Sequence, residues 1–498
     1  MAQIKTPGVY VQEGNAFPNS VVEVSTSVPA FVGYTEKAIQ NSKDVSGTPV
    51  RLSSMVEFEQ VFGGPPTWSF SWSEQDDAKD SFSPVSQEFL LYLSMKIFFD
   101  NGGGACWVVS IGSYEGTAFE AKDFDVAWPR IAELQEPAIY VVPDAVALSK
   151  ADHAKLCNTM LMQCAKLQSC VAILDLYDGA GIDDGAGFAL ATPIQDFRDS
   201  LVQVDDLKFG TAYAPWLKTN LVEPSLVNFT NLDKKSCKSL ASAVRAETEA
   251  FIANQTFSQE QAELIAEAIK QVEGAEDDAG AVKRAAAILE SISETYQRVM
   301  SALLARINLI PPCGAMAGIW AHMDNTVGVH EAPANVGIVS AIGLSVEISA
   351  EQQHDMNAPL NGRAINVIRS FPGRGILVWG ARTLDGNSTD WRYINERRTM
   401  IMFEQSIRLA MRAFAFSSND AQTWQGVKSM IGSFLDTQWK AGVLVGTQPS
   451  EAYRVDIGLG ETMTGDDVAN GLMRVRLNVA LVRPVEFRVI EISQQMQT

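Results

Sequence analysis

Histidine is scarce in this chain, cysteine is scattered, and the common enzyme signatures are missing. Four histidines (His153, His322, His330, His354) stand far apart in 498 residues. No histidine-based metal or catalytic cluster is written into the sequence, and isolated structural or surface histidines are the simpler reading. Six cysteines (Cys106, Cys157, Cys164, Cys170, Cys237, Cys313) form no CxxC pair. That pattern reads as buried free thiols, not as a disulfide framework or a zinc site. The longest apolar stretch, Phe89 to Phe99, is broken by Ser94 and Lys96, far short of the roughly 20 residues of a membrane span. No GxxxxGK[ST] phosphate loop, HExxH metal helix or GxSxG nucleophile elbow occurs, so no cofactor is expected. Positive charge is also short. Lys and Arg number 39 against 59 Asp and Glu, a net charge of -20, which repels phosphate backbones and anionic lipid and argues against nucleic acid or membrane as the main partner. The opening Met1-Ala-Gln-Ile-Lys-Thr-Pro-Gly8 lacks the basic and then apolar run of a signal peptide, so the expectation is a protein made in the cytoplasm.

What is present is an ordinary globular balance, 46% hydrophobic and 20% charged residues. At roughly 150 residues per domain the length suggests about three domains. The charge is uneven. From Pro372 to the end there are 14 basic and 13 acidic residues, which leaves 25 and 46 for the first 371. An acidic part facing solvent and a balanced part held in protein contacts would give this split, and so would chance variation between domains.

Local patterns divide the chain further. Gly8-Val-Tyr-Val-Gln-Glu13 after Pro7, and Val485 to Ser493 after Pro484, both read as strands with few local partners. Between Pro137 and Leu217 the reading is α/β: strand Ala138–Val142, helix Ser149–Leu167, strand Cys170–Asp175 and a helix near Ile194 to Val202. From about Asn228 to Asn308 the character is helical. Ser258 and Gln261 form a capping box before the stripe Ala262, Ile265, Ile269, Val272. A second stripe runs through Val282, Ala286, Leu289, Tyr296, Val299 and Leu303, which predicts a helical hairpin or three-helix appendage. The final region, from near Ile365, reads as α+β. One helix buries Phe403, Ile407, Ala410, Met411 and Phe414 and exposes Glu404, Arg408 and Arg412. Another follows Ser417–Asp420, buries Trp424, Val427, Ile431, Phe434 and Leu435, and stops at Gly442. Met473, Val475, Leu477 and Val479 then alternate with polar residues as in a strand with one wet face.

Asn101-Gly-Gly-Gly104 and Phe371-Pro-Gly-Arg-Gly375 are glycine-rich, yet neither has the rest of a nucleotide motif, and for the first, which precedes a strand, a tight connection with positive φ is the simpler account. Asp183-Asp184 and Asp466-Asp467 lack the regular oxygen spacing of a calcium loop.

Together, Thr6-Pro-Gly-Val-Tyr-Val-Gln12, Val28-Pro-Ala-Phe-Val-Gly-Tyr34, Phe58 with Phe62-Gly63, and Phe98-Phe-Asp-Asn-Gly102 resemble the start of the contractile tail sheath family. Towards the other end, Pro312-Cys-Gly-Ala-Met-Ala-Gly318, Pro333-Ala-Asn335, Trp379-Gly-Ala-Arg-Thr-Leu384, Arg397-Arg398 and Val482-Arg-Pro-Val-Glu-Phe487 carry a stronger match. Ala212-Tyr-Ala-Pro-Trp216 and Pro311-Pro-Cys-Gly are separated here by the helical stretch, which reads as an insertion on the outer surface.

The resemblance implies a multidomain fold of mixed α+β and α/β character. It would have an N-terminal strand arm and linker (1–25), outer sheath domains (26–330) carrying a helical insertion (about 226–308), an inner domain (331–484) and a C-terminal strand arm (485–498). It implies stacked hexameric rings around an inner tube, with arms adding strands to a neighbour's inner-domain sheet, and no need of a nucleotide. The partners would be copies of this chain, a tube protein, and baseplate and sheath-terminator proteins, in a virion tail or an injection particle. Val9, Tyr10, Val11, Phe487, Val489, Ile490 and Ile492 are the candidate arm contacts, with an ordinary strand pair inside one monomer as the alternative. Arg412, Lys428 and Lys440 are candidates to face the tube, with solvated helix faces as theirs. A competing expectation is an α/β enzyme whose site lies in 137–217 and gathers Asp175, Asp183 and His153. An adhesin is a third, for which the disulfides or fibre-like repeats are missing.

Overall fold

The computed structural model describes residues 20–75, 79–115, 119–181, 188–253, 258–274 and 278–486. They form two compact units: a large one, 26–398, and a smaller one made of 399–486 with 20–25. The two units divide at Arg398. The reason is that residues 366–378 extend the sheet of the large unit.

That sheet has eight strands. They are β1 (Pro29–Thr35), β2 (Val50–Leu52), β3 (Cys106–Ser113), β4 (Ile139–Val141), β5 (Val171–Asp175), β6 (Gly210–Ala214), β7 (Asn366–Phe371) and β8 (Gly375–Val378). Their spatial order is β8-β7-β6-β5-β4-β1-β3-β2. Neighbours from β3 through β7 are parallel, and antiparallel β2 and β8 flank them. Strands β1, β4, β5 and β6 are buried at every position, as a sheet covered on both faces requires. Because the chain leaves β1 for β3 on one side and β4 on the other, the winding reverses between β1 and β4. In open α/β sheets that crevice is where ligands bind.

The α/β reading of 137–217 holds. Helix α1 (Leu91–Asp100) precedes β3, and α2 (Lys150–Leu167) joins β4 to β5. Ser149 caps α2 by accepting from the Asp152 N–H, and His153, Leu156, Cys157, Met160, Leu161 and Cys164 form its buried face. All six cysteines are free and buried. The two glycine-rich stretches are tight turns: Gly102 has φ 87° behind α1, and Gly373 and Gly375 have φ 74° and 79° in the β7–β8 hairpin.

The helical stretch contains four helices, not two or three: α3 (Lys234–Ala253), α4 (Gln259–Gly274), α5 (Ala279–Ile292) and α6 (Glu294–Ile307). The second apolar stripe crosses a break. Ser293 ends α5 and caps α6, accepting from the Tyr296 N–H at 3.0 Å and donating to Glu247 on α3 at 2.7 Å. A capped joint of one residue preserves the spacing on both sides, so the stripe reads as one helix. The predicted Ser258–Gln261 capping box is present. These helices also seat a hairpin, Phe70–Gln75 with Lys79–Pro84. Ser236 accepts from the Trp72 N–H at 2.7 Å, and Arg298 reaches Glu74 and Asp80.

Helix α7 (Cys313–Thr326) is buried from Cys313 through Ala321. It meets α1 through Gly314 and Gly318. A Cβ there would lie 2.5 Å from the Ser94 and Phe98 carbonyl oxygens, respectively, so the two backbones are in contact.

Helix α8 (Ile394–Met411) begins in the large unit and continues into the smaller one. In the smaller unit α9 (Ala421–Lys440) buries Val427, Ile431, Phe434 and Leu435, and Phe403 of α8 meets Phe434 edge-on. Asp420 caps α9, and it ends at Gly442 (φ 83°), where the Val443 N–H bonds back to the Gln438 carbonyl. Two antiparallel strands follow, β9 (Tyr453–Asp456) and β10 (Arg476–Val479).

Candidate functional site: an open sheet edge and a filled crevice

The crevice between β1 and β4 is filled by the chain itself. Asp144, just past β4, is fully buried. Its Oδ2 accepts from the Tyr34 N–H at 2.8 Å, and its Oδ1 accepts from the Leu90 and Leu91 N–H groups at 2.6 and 3.1 Å. Those last two are the N-terminal amides of α1, the groups that hold a phosphate in nucleotide-binding sheets. Here an internal carboxylate has taken them. A Cβ on Gly33 would lie 2.5 Å from Asp144 Oδ2, which accounts for the glycine in Val28-Pro-Ala-Phe-Val-Gly-Tyr34. Burial pushes the Asp144 carboxyl up to about 6, although its three backbone donors pull the other way.

Asp175, at the end of β5, is buried as well. Its Oδ1 accepts from the Cys313 N–H at 3.1 Å, fastening β5 to the start of α7, and burial pushes its carboxyl up to about 7. His153 is near Asp175, but its Nε2 lies 3.1 Å from the backbone carbonyl of Asp175, not from the carboxylate. Burial pulls the imidazole down to about 4. A cavity of about 490 Å³ beside His153 is lined by Lys150, Tyr177, Asp196, Phe197 and Ser200, among others, and Asp175 does not reach it. The described residues therefore do not bring the Asp175 carboxylate and His153 into one site, and Asp183 lies outside them. The Asp175 geometry makes a prediction. The folded carboxyl binds its proton more tightly than the unfolded one, whose pKa is about 3.9. The stability it contributes is complete below about pH 4 and is lost as pH rises through 7. Asp175→Asn keeps an acceptor for Cys313 and cannot ionise. Relative to wild type it should gain on the order of 2–4 kcal/mol between pH 4 and pH 8. Thermal melts across that range check it; a parallel pH profile for the two proteins would show the carboxyl is not protonated in the fold.

The smaller unit offers a different kind of site. Strands β9 and β10 pair from Tyr453–Val479 to Asp456–Arg476, and among the described residues no third strand joins them, although just past β10 the Val445 N–H donates to the Ala480 carbonyl and Leu444 bridges Leu481. In an antiparallel pair alternate residues turn their backbone N–H and C=O away from the partner, so each outer edge carries a row of groups ready to pair. Val475, Leu477 and Val479 are half-buried while Arg474, Arg476 and Asn478 are exposed, the predicted alternation. Strand β9 packs against α9, which supports the pair from one face.

Of the sequence candidates, Val9, Tyr10, Val11, Phe487, Val489, Ile490 and Ile492 lie outside the described residues. Arg412 and Lys440 are exposed, Lys428 is half-buried, and Lys440 pairs with Asp436 one turn earlier at 2.6 Å. The structure does not gather the three at one point: Arg412 follows α8, while Lys428 and Lys440 lie twelve residues apart on α9. Sequence reasoning placed Phe414 on an apolar face and passed over Phe416. Phe416 is 109% exposed with φ 66° in the α8–α9 turn, a conformation that costs a bulky residue of order 1–3 kcal/mol.

Comparison with known proteins fits this geometry. A family model for the phage tail sheath protein central domain matches residues 229–384, a range that includes the four helices, and one for the phage tail sheath C-terminal domain matches 387–495. A tail sheath protein of Salmonella phage ViI is 30% identical over 120 residues, 24% of this chain and 18% of that protein. Two solved structures share the fold across 99% of this chain. The sheath complex of an extracellular contractile injection system (PVC) in its contracted state has a TM-score of 0.60 at 23% identity, over 99% of that chain. The anti-feeding prophage baseplate in its contracted state gives 0.63 at 22%, also over 99%. With its α/β sheet, a C-terminal unit that contains α9 and the β9–β10 pair, and both sheath domains matched, the chain belongs to the contractile tail sheath family.

Proposed function

We propose that this chain is the structural subunit of a contractile sheath, polymerising as stacked hexameric rings around an inner tube and shortening to drive that tube through a target envelope. The observation that carries the reading is the two-stranded β9–β10 sheet, whose outer edges have no third strand among the described residues. Terminal arms of neighbouring copies, with Val9, Tyr10 and Val11 at one end and Phe487, Val489, Ile490 and Ile492 at the other, would add strands to those edges. Backbone hydrogen bonds then hold subunits together while their bodies move. The extended cylinder is the metastable state, and release at the baseplate lets the bodies form larger contacts. Residues 331–484 serve as the inner part around the tube and 26–330 as the outer part. Arg412, Lys428 and Lys440 supply positive charge towards the tube. Assembly takes place in the cytoplasm, with the tube, baseplate and terminator proteins as partners. The filled β1–β4 crevice favours this reading over an enzyme in 137–217, because Asp144 uses up the amides that would receive a ligand.

Negative-stain electron microscopy of the purified protein, alone and with a candidate tube protein, tests the proposal. Hollow ridged cylinders, narrower when filled by tube, are the expected result. Small monodisperse particles under both conditions would overturn it.

A further inference from the structure

The chain passes between its two compact units twice, at residues 25–26 and 398–399. Thr26 and Arg398, the large unit's residues at the two crossings, are bonded to each other and to one carboxylate. Arg398 Nη2 donates to the Thr26 carbonyl at 2.9 Å. Its Nη1 and Nη2 grip Asp324 Oδ1 and Oδ2 at 2.9 and 2.5 Å, and Thr26 Oγ1 donates to Asp324 Oδ2 at 2.6 Å. Both charged side chains are only 4% exposed. The Trp320 ring covers the guanidinium at 4.5 Å, and its Nε1 donates to Tyr213 Oη on β6 at 3.1 Å. The network thus runs without a break from the crossings into the central sheet.

Burying an ion pair seldom adds stability over apolar packing of the same volume, because desolvation offsets the attraction. What this pair supplies is direction: a bidentate fork admits one orientation, and the shared Oδ2 fixes Thr26 beside Arg398. We propose that Arg398, Asp324 and Thr26 form a pin that fastens the non-helical crossing at 25–26 to the crossing inside helix α8, so that the two behave as one stiff connection and movement of the large unit is passed to the smaller unit. The role in motion rests on the sheath reading; the stiffness of the crossings does not.

The test compares wild type with Asp324→Leu/Arg398→Met, which removes both charges and leaves neither unpaired, and with Asp324→Asn, which removes one charge and keeps an acceptor for Thr26. Limited proteolysis of the monomer, with cuts mapped around residues 20–30 and 396–402, reads the crossings. The rate and extent of shortening of cylinders assembled on tube protein reads the motion. The double variant should melt within about 3 °C of wild type, be cut at the crossings about tenfold faster, and form cylinders that shorten incompletely. Should it fail to fold, Asp324→Asn carries the test, with cleavage about threefold faster. Wild-type cleavage rates would overturn the pin, and faster cleavage with normal shortening would overturn its role in motion. If wild type itself forms no cylinders, the sheath reading falls while the cleavage result still decides whether the crossings are pinned.

Discussion

A chain lacking residues 1–14 should purify as a folded monomer and form no cylinders. The described contacts begin at residue 20: the Val24 N–H donates to Ser406, and Glu23 accepts from Gln438. Removing the first fourteen residues breaks none of these, so thermal stability should change by no more than about 0.5 kcal/mol, as for surface changes in general. Under the proposed arm exchange assembly should be lost altogether, because each subunit would forfeit a strand's worth of backbone pairing at a sheet edge that no third strand occupies among the described residues. Electron microscopy beside a thermal melt separates the two effects. Normal cylinders from the truncated chain would remove the N-terminal arm from the mechanism and leave the C-terminal one to carry it.

The second large effect belongs to the α1–α7 contact. Gly318→Val should abolish the soluble fold, and Gly318→Ala should cost about 1–3 kcal/mol. A Cβ at Gly318 meets the Phe98 carbonyl at 2.5 Å and Asn101 Cβ at 2.9 Å. Backbone atoms cannot swing aside as the end of a long side chain can. Gly432, in the middle of α9, is the control. A Cβ there meets nothing within 4 Å, so Gly432→Ala should gain up to about 1 kcal/mol from helix propensity. Denaturant midpoints for the three variants give the answer, and a Gly318→Val protein as stable as wild type would mean that the two helices do not touch.

Much of the fold is written locally. The helix over Ser149–Leu167, the Ser258–Gln261 box, the inward face of α9 and its stop at Gly442 were all legible, because capping and amphipathic spacing depend on residues within a turn or two of each other. The four-helix count was not, since Ser293 breaks the helix without breaking the stripe. Nor could local pattern assign residues 366–378. Their strands alternate like any hairpin, and only the pairing of Asn366 and Val367 with Tyr213 and Ala214, more than 150 residues earlier, makes them part of the large sheet.

The candidate site divides in the same way. By itself the sequence determined the family and the alternation of 473–479, both of which are matters of residue type and short spacing. Tertiary structure decided that Asp144 fills the crevice, that Asp175 and His153 serve separate partners, and that Arg398, Asp324 and Thr26 meet at the crossings. Asp324 and Thr26 are 298 residues apart, and Arg398 and Thr26 are 372 apart. No periodicity reaches that far, because such contacts arise only when packed elements bring distant turns of the chain to one point.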